Sequence, residues 1–70
     1  MDRVADIAQY IFDEYEKEAN QVIDEMKLHI LLYFAQRESF ALLGQPLFKE
    51  TFQGGEFGPV CPIIREIYTT

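Results

Sequence analysis

His29 is the only histidine and Cys61 the only cysteine in a chain of 70 residues. A histidine can serve as a base or a metal ligand near neutral pH, and a cysteine as a nucleophile or ligand once it loses its proton. A zinc site needs three or four well-placed ligands. No second histidine or cysteine is present to complete one. A base with no nucleophile to activate makes no catalytic site. His29, set between Leu28 and Ile30, therefore reads as a partly buried, hydrogen-bonded or exposed side chain. Cys61 stands between Val60 and Pro62, just ahead of an expected helix start, a setting that can favour a thiolate. A lone cysteine is more often a small, packed apolar residue. The carboxylates Asp13, Glu14, Glu16 and Glu18 could attract a hard cation, but they lack the glycine-turn loop spacing of a calcium site. They read as surface charge. No catalytic residue, cofactor or metal is expected.

The charge is unevenly spread. Twelve acidic residues against six basic ones give a net charge of −6. Residues 1–25 hold eight of the acids and two of the bases, so the whole excess lies there, while residues 26–70 are balanced at four of each. An acidic chain repels a phosphate backbone, and no Lys/Arg stripe interleaved with aromatics is present, so direct nucleic-acid binding is not expected. The acidic segment fits either a solvated helix face or a surface that attracts a basic partner. A single cysteine excludes a disulfide framework and suits a reducing, cytoplasmic setting. The longest unbroken apolar stretch is residues 30–35, far short of the ~20 that span a bilayer. The start of the chain lacks the basic-then-apolar pattern of a signal peptide, and no membrane partner is expected.

The elements that must position these residues can be read from periodicity. Val4, Ile7, Ala8, Ile11, Phe12 and Tyr15 recur at three- and four-residue steps, which predicts an amphipathic helix. Asp2 is the expected N-cap, Asp13 and Lys17 a weak surface pair, and Glu18 the approximate end. Residues 19–23 read as a polar connection. Asp24 then caps a second helix. Leu28, Leu31, Leu32, Ala35, Ser39 and Leu42 form one stripe on it, and Met26, Ile30, Tyr33, Phe34 and Phe40 occupy other faces. A helix apolar over so much of its circumference is expected at the centre of its domain. Gly44 suits the left-handed cap, and Pro46 stops the helix.

Beyond Leu47 the helical period gives way to alternation over residues 48–53, which predicts an extended stretch or hairpin arm. Gly54-Gly55 is the expected turn, Gly58-Pro59 a second one, and Pro62 the first residue of a third helix whose apolar face begins with Ile63, Ile64, Ile67 and Tyr68. The expected fold is thus mainly α: two main helices and the start of a third, with a short β hairpin or extended segment around 48–57. Ten aromatics in 70 residues exceed what so few elements can cover. Either copies of the chain assemble, or residues 1–70 form one partial domain, the N-terminal half of a larger one.

Several short motifs follow one another in a recognisable order. The second helix contains Lys27-Leu28 and then Leu31-Leu32-Tyr33-Phe34-Ala35-Gln36; its exit reads Gly44-Gln45-Pro46-Leu47-Phe48, and a later segment Phe57-Gly58-Pro59-Val60-Cys61-Pro62. Together they resemble the Panacea domain, also described as SocA-like antitoxin or phage-associated, with its "KLQKLLYFAQ", "GxPLF" and "YGPVxP" signatures. Val4 and Ala8-Gln9-Tyr10-Ile11-Phe12 are similar to the family's first helix. His29 and Ile30 stand where the family usually has Gln-Lys, and Gly54-Gly55 where it often has alanine and a large aromatic. The family domain usually runs to about twice this length.

The resemblance implies a protein-binding role without enzymatic activity. The expected function is an antitoxin or proteolytic adaptor of bacterial or prophage origin that neutralises a cognate toxin, with the toxin and a protease as partners. The alternative is a phage structural or self-associating protein, hence a homo-oligomer. An enzyme whose catalytic groups lie outside these residues is a third reading. Within the motifs, Tyr33, Phe34 and Gln36 fit core packing, with Gln36 bonded to a buried backbone group; alternatively Tyr33 or Gln36 anchors the Gly58-Pro59-Val60 turn. Binding itself is expected on the acidic first helix or on residues 48–60.

Overall fold

A computed structural model describes residues 3–56 and 58–68. Helix α1 (Val4–Ala19) forms on the apolar period of its sequence and buries Val4 and Ala8, with Ile7, Ile11, Phe12 and Tyr15 packed against the same core. Its N-cap is Arg3, extended and without a side-chain cap; the Arg3 carbonyl instead accepts from the Asp6 and Ile7 amides at 3.1 and 3.2 Å. The expected cap, Asp2, lies outside the described residues. The helix runs one residue past Glu18 because Asn20 takes the left-handed conformation, φ 56°, and closes the last turn. A short polar side chain tolerates that geometry better than most. The expected Asp13–Lys17 pair does not form: Lys17 lies 3.5 Å from Glu14, and Asp13 accepts from Gln9 at 3.0 Å.

Helix α2 (Glu25–Leu43) begins as its sequence predicts, with the Asp24 carboxylate accepting the Lys27 amide at 2.8 Å. Gly44, at φ 69°, ends it by donating to the Phe40 carbonyl. The residues between the helices are not simply a polar connection. Ile23 is buried in the core, and its carbonyl accepts the Tyr68 hydroxyl.

Helix α2 is not buried centrally. Leu28, His29, Leu32 and Ser39 are buried, but Leu42, expected on the same stripe, is 77% exposed. Met26, Phe34 and Phe40 are also exposed. One helix, one hairpin and one short helix cover only part of a cylinder, and the rest of its apolar surface faces outward.

The strands are β1 (Gln53–Gly55) and β2 (Gly58–Val60), antiparallel, with Gln53 opposite Val60, Gly54 opposite Pro59 and Gly55 opposite Gly58. This shifts the expected hairpin. Residues 48–52 are irregular rather than a strand, Gly54-Gly55 is paired rather than turning, and Gly58-Pro59 lies in β2 rather than in a turn. The reversal falls between Gly55 and Gly58, helped by the φ of 128° at Gly58. A Cβ on Gly55 would approach the Gly58 carbonyl oxygen and a Val60 methyl to 2.8 Å, whereas one on Gly54 meets open space. Gly55→Ala is therefore expected to cost about 1–3 kcal/mol, and Gly54→Ala clearly less. Equal melting temperatures for the two variants would refute that close approach.

Helix α3 (Pro62–Tyr68) starts at proline, as predicted, with the Cys61 carbonyl accepting the Arg65 amide. It contributes Ile64 to a core completed by Val4, Ala8, Ile23, Leu28, Leu32, Phe48 and Cys61. The fold is thus mainly α, with three helices and one small hairpin among the described residues.

Candidate protein-binding surface

The groups singled out for chemistry are consumed by structure. His29 is 3% exposed and both ring nitrogens are engaged: Nδ1 accepts the Cys61 amide at 3.1 Å, and Nε2 lies 2.9 Å from Glu25 Oε2. An acceptor at Nδ1 requires the proton on Nε2, which then donates to the carboxylate. His29 thus ties the first turn of α2 to the exit of β2. Cys61 itself is fully buried in the core. Among the described residues no group of three or more His, Cys, Asp or Glu could hold a metal ion. Among the described residues no helix is long and apolar enough to cross a membrane.

Gln36 bonds to buried backbone, as one of its expected readings had it. Its Oε1 accepts the Leu47 amide at 2.8 Å and the Phe48 amide at 3.3 Å, while its Nε2 donates to the Phe48 carbonyl at 2.7 Å. Ser39 adds a bond to the Gln45 carbonyl at 2.7 Å. The irregular segment after Pro46 is therefore stitched to α2, which lets Phe48 enter the core. Neither Gln36 nor Tyr33 holds Gly58-Pro59-Val60, which corrects the alternative. Tyr33 meets Phe52 edge-on, centroids 5.4 Å apart, and the tie to β2 comes from His29. The helical spacing of Glu25 and His29, one turn apart, could have shown their own pair, but no local signal points to the bond from Cys61, 32 residues on.

Of the other motif residues, Leu28 and Leu32 lie in the core, and Leu31, Ala35, Pro46 and Leu47 are half-buried. Gly58, Pro59 and Val60 are half-buried in β2, Pro62 is exposed, and Phe57 lies outside the described residues. Lys27 reaches across to α1, 3.3 Å from the Tyr15 hydroxyl and above its ring. The motif is thus largely the device that seats hairpin and loop on α2.

What remains outside is a surface. Asp13, Glu16 and Glu18 are exposed on α1 and Glu14 is half-buried beside Lys17. Phe34 and Met26 are each about half exposed on α2, and Ile30, between them, is half-buried. The accessible surface is 5174 Å2 for 8.2 kDa, against roughly 4,500 Å2 for a compact monomer of that mass. An apolar groove between α1 and α3 was not foreseen, because nothing in the sequence shows that Val22 and Ile67 flank the same cleft.

The architecture is that of a small helical scaffold with unspent apolar surface. The chain belongs to the family described as "Antitoxin SocA-like, Panacea domain", whose profile matches residues 26–70. The match covers α2, the hairpin and α3, so the similarity read at Val4 and Ala8–Phe12 lies outside it. No curated protein and no solved structure matches the chain. Membership suggests an antitoxin-like role with a protein partner such as a toxin, in a family that is generally non-enzymatic.

Proposed function

We propose that the chain is a non-enzymatic, cytoplasmic protein-binding module of bacterial or prophage origin that neutralises a cognate toxin, by direct contact or by presenting it to a protease. The observation that carries this reading is the family match over residues 26–70. The surface supports it: exposed Phe34, Phe40 and Met26 beside charges resemble the aromatic- and methionine-rich core and polar rim of protein interfaces. Asp13, Glu14, Glu16 and Glu18 give α1 an attraction for basic partners at a range of about 8 Å in physiological salt. Co-expression with the product of the adjacent gene is expected to restore growth that the product alone arrests, and the two proteins are expected to co-purify. Growth arrest with no complex would overturn the proposal. Recovery of the chain only as copies of itself would favour the alternative, self-association through the outer face of α2.

A further inference from the structure

The groove between α1 and α3 has an apolar floor, and acidic residues of α1 lie near its edge, Asp13 through its bond to Gln9, which lines the groove. Leu28 of α2 forms part of its base, Ala5, Ala8 and Phe12 one wall, and Ile64 and Ile67 the other; it encloses about 360 Å3. Val22 and Ile67 project at its edges, 62% and 56% exposed. Two alanines on the α1 wall allow a third helix to come close, since interaxial distance is set by the side chains at the contact. The rim is not apolar. Gln9 lines the groove and holds Asp13 by a hydrogen bond of 3.0 Å, which fixes that carboxylate at the edge. Asp6 and Glu16 are exposed about one turn before and after this pair. The base of α1, Lys17, sits next to Glu14 and leaves these three acids uncompensated by it.

We propose that this groove binds an amphipathic helix of another protein whose apolar face is flanked by lysines or arginines. The charge selects the occupant. A second copy of this chain offers no basic helix: α1 carries five acids and one base, and α2 carries two of each. An anionic membrane surface is repelled by the same rim. A basic helix satisfies both parts at once, its anchors at i, i+3 or i+4 and i+7 entering the groove and its flanks meeting Asp6, Asp13 and Glu16. The inference deepens the binding-module reading and rests on it only for which protein supplies the helix.

The test uses the full chain and a fluorescent 14-residue leucine–lysine peptide with helical periodicity. Controls are a scrambled peptide of the same composition and a leucine–glutamate version. The periodic basic peptide is expected to bind, with amide shifts centred on Ala5, Gln9, Val22 and Ile67. Ile67→Glu, at an exposed position, is expected to weaken binding at least tenfold, and Asp13→Lys several-fold with a reduced salt dependence. Ala41→Glu, at an exposed position near the end of α2, should leave it unchanged, and circular dichroism establishes that each variant is folded. Equal binding of the scrambled peptide, shifts centred on α2, or indifference to both Ile67→Glu and Asp13→Lys would overturn the proposal. So would a dimer in sedimentation that Ile67→Glu converts to monomer, which would assign the groove to a second copy. No toxin enters the measurement, so its failure leaves the antitoxin reading standing, and failure of growth rescue leaves the groove's preference standing.

Discussion

Phe48→Ala is expected to remove most of the stability of the fold. Phe48 is the largest fully buried side chain, with 0% exposure, and it carries the irregular segment after α2 into the core. Its ring also meets Phe52, centroids 6.0 Å apart. Truncation of a buried phenylalanine costs about 3–5 kcal/mol, the lost transfer energy plus the cavity left behind. A domain of this length has a total stability of only about 3.5–10 kcal/mol. Urea denaturation should show the midpoint falling towards zero for Phe48→Ala, while Phe48→Leu, which keeps much of the volume, should lose far less. A loss under about 1 kcal/mol for Phe48→Ala would mean that the segment is not docked as described.

Gln36→Ala is expected to cost about 2–4 kcal/mol, from three backbone groups that lose their partner at once. The Leu47 and Phe48 amides and the Phe48 carbonyl are all served by this one amide side chain. Gln36→Glu separates the two halves of the interaction. A carboxylate still accepts from both amides, but it cannot donate to the Phe48 carbonyl, so an intermediate loss is expected. Because Gln36 seats Phe48, the double variant should lose less than the sum of the two single losses, and the cycle measures the coupling. Strict additivity would show that the hydrogen bonds and the buried ring act independently.

The helices were legible because their signals are local. Apolar steps of three and four residues mark α1 and α2, Asp24 caps its own helix, Gly44 supplies the left-handed exit, and Pro62 starts α3. The hairpin was misplaced because alternation at residues 48–53 and a Gly-Gly pair are equally local, yet the outcome was set from a distance. Gln36 takes the amides of Leu47 and Phe48, and His29 fixes Cys61, so the hairpin must fall within residues 49–60, and it pairs 53–55 with 58–60. Ile23 was misread for the same reason: with Val22 it forms only a two-residue apolar step between Asn20-Gln21 and Asp24-Glu25, and its burial depends on α3, more than forty residues further on. The motif residues were legible as a set, but their spacing says nothing about which side of α2 is covered. The acidic stretch of α1 could be read directly, whereas the groove beside it exists only once α3 is in place.

The bond from Tyr68 to the Ile23 carbonyl spans 45 positions of sequence, and it bears on the order in which the molecule can assemble. Helices α1 and α2 are neighbours in the chain and can meet quickly, but Val4, Ala8 and Ile23 stay wet on one side until Ile64 and Tyr68 arrive. Contacts of such separation are entropically late. On a ribosome, the first two helices would emerge as a sticky, half-covered pair, and the native core would close only after residues 64–68 had cleared the exit. The shortest helix thus supplies the contacts of greatest sequence separation that this small fold must close.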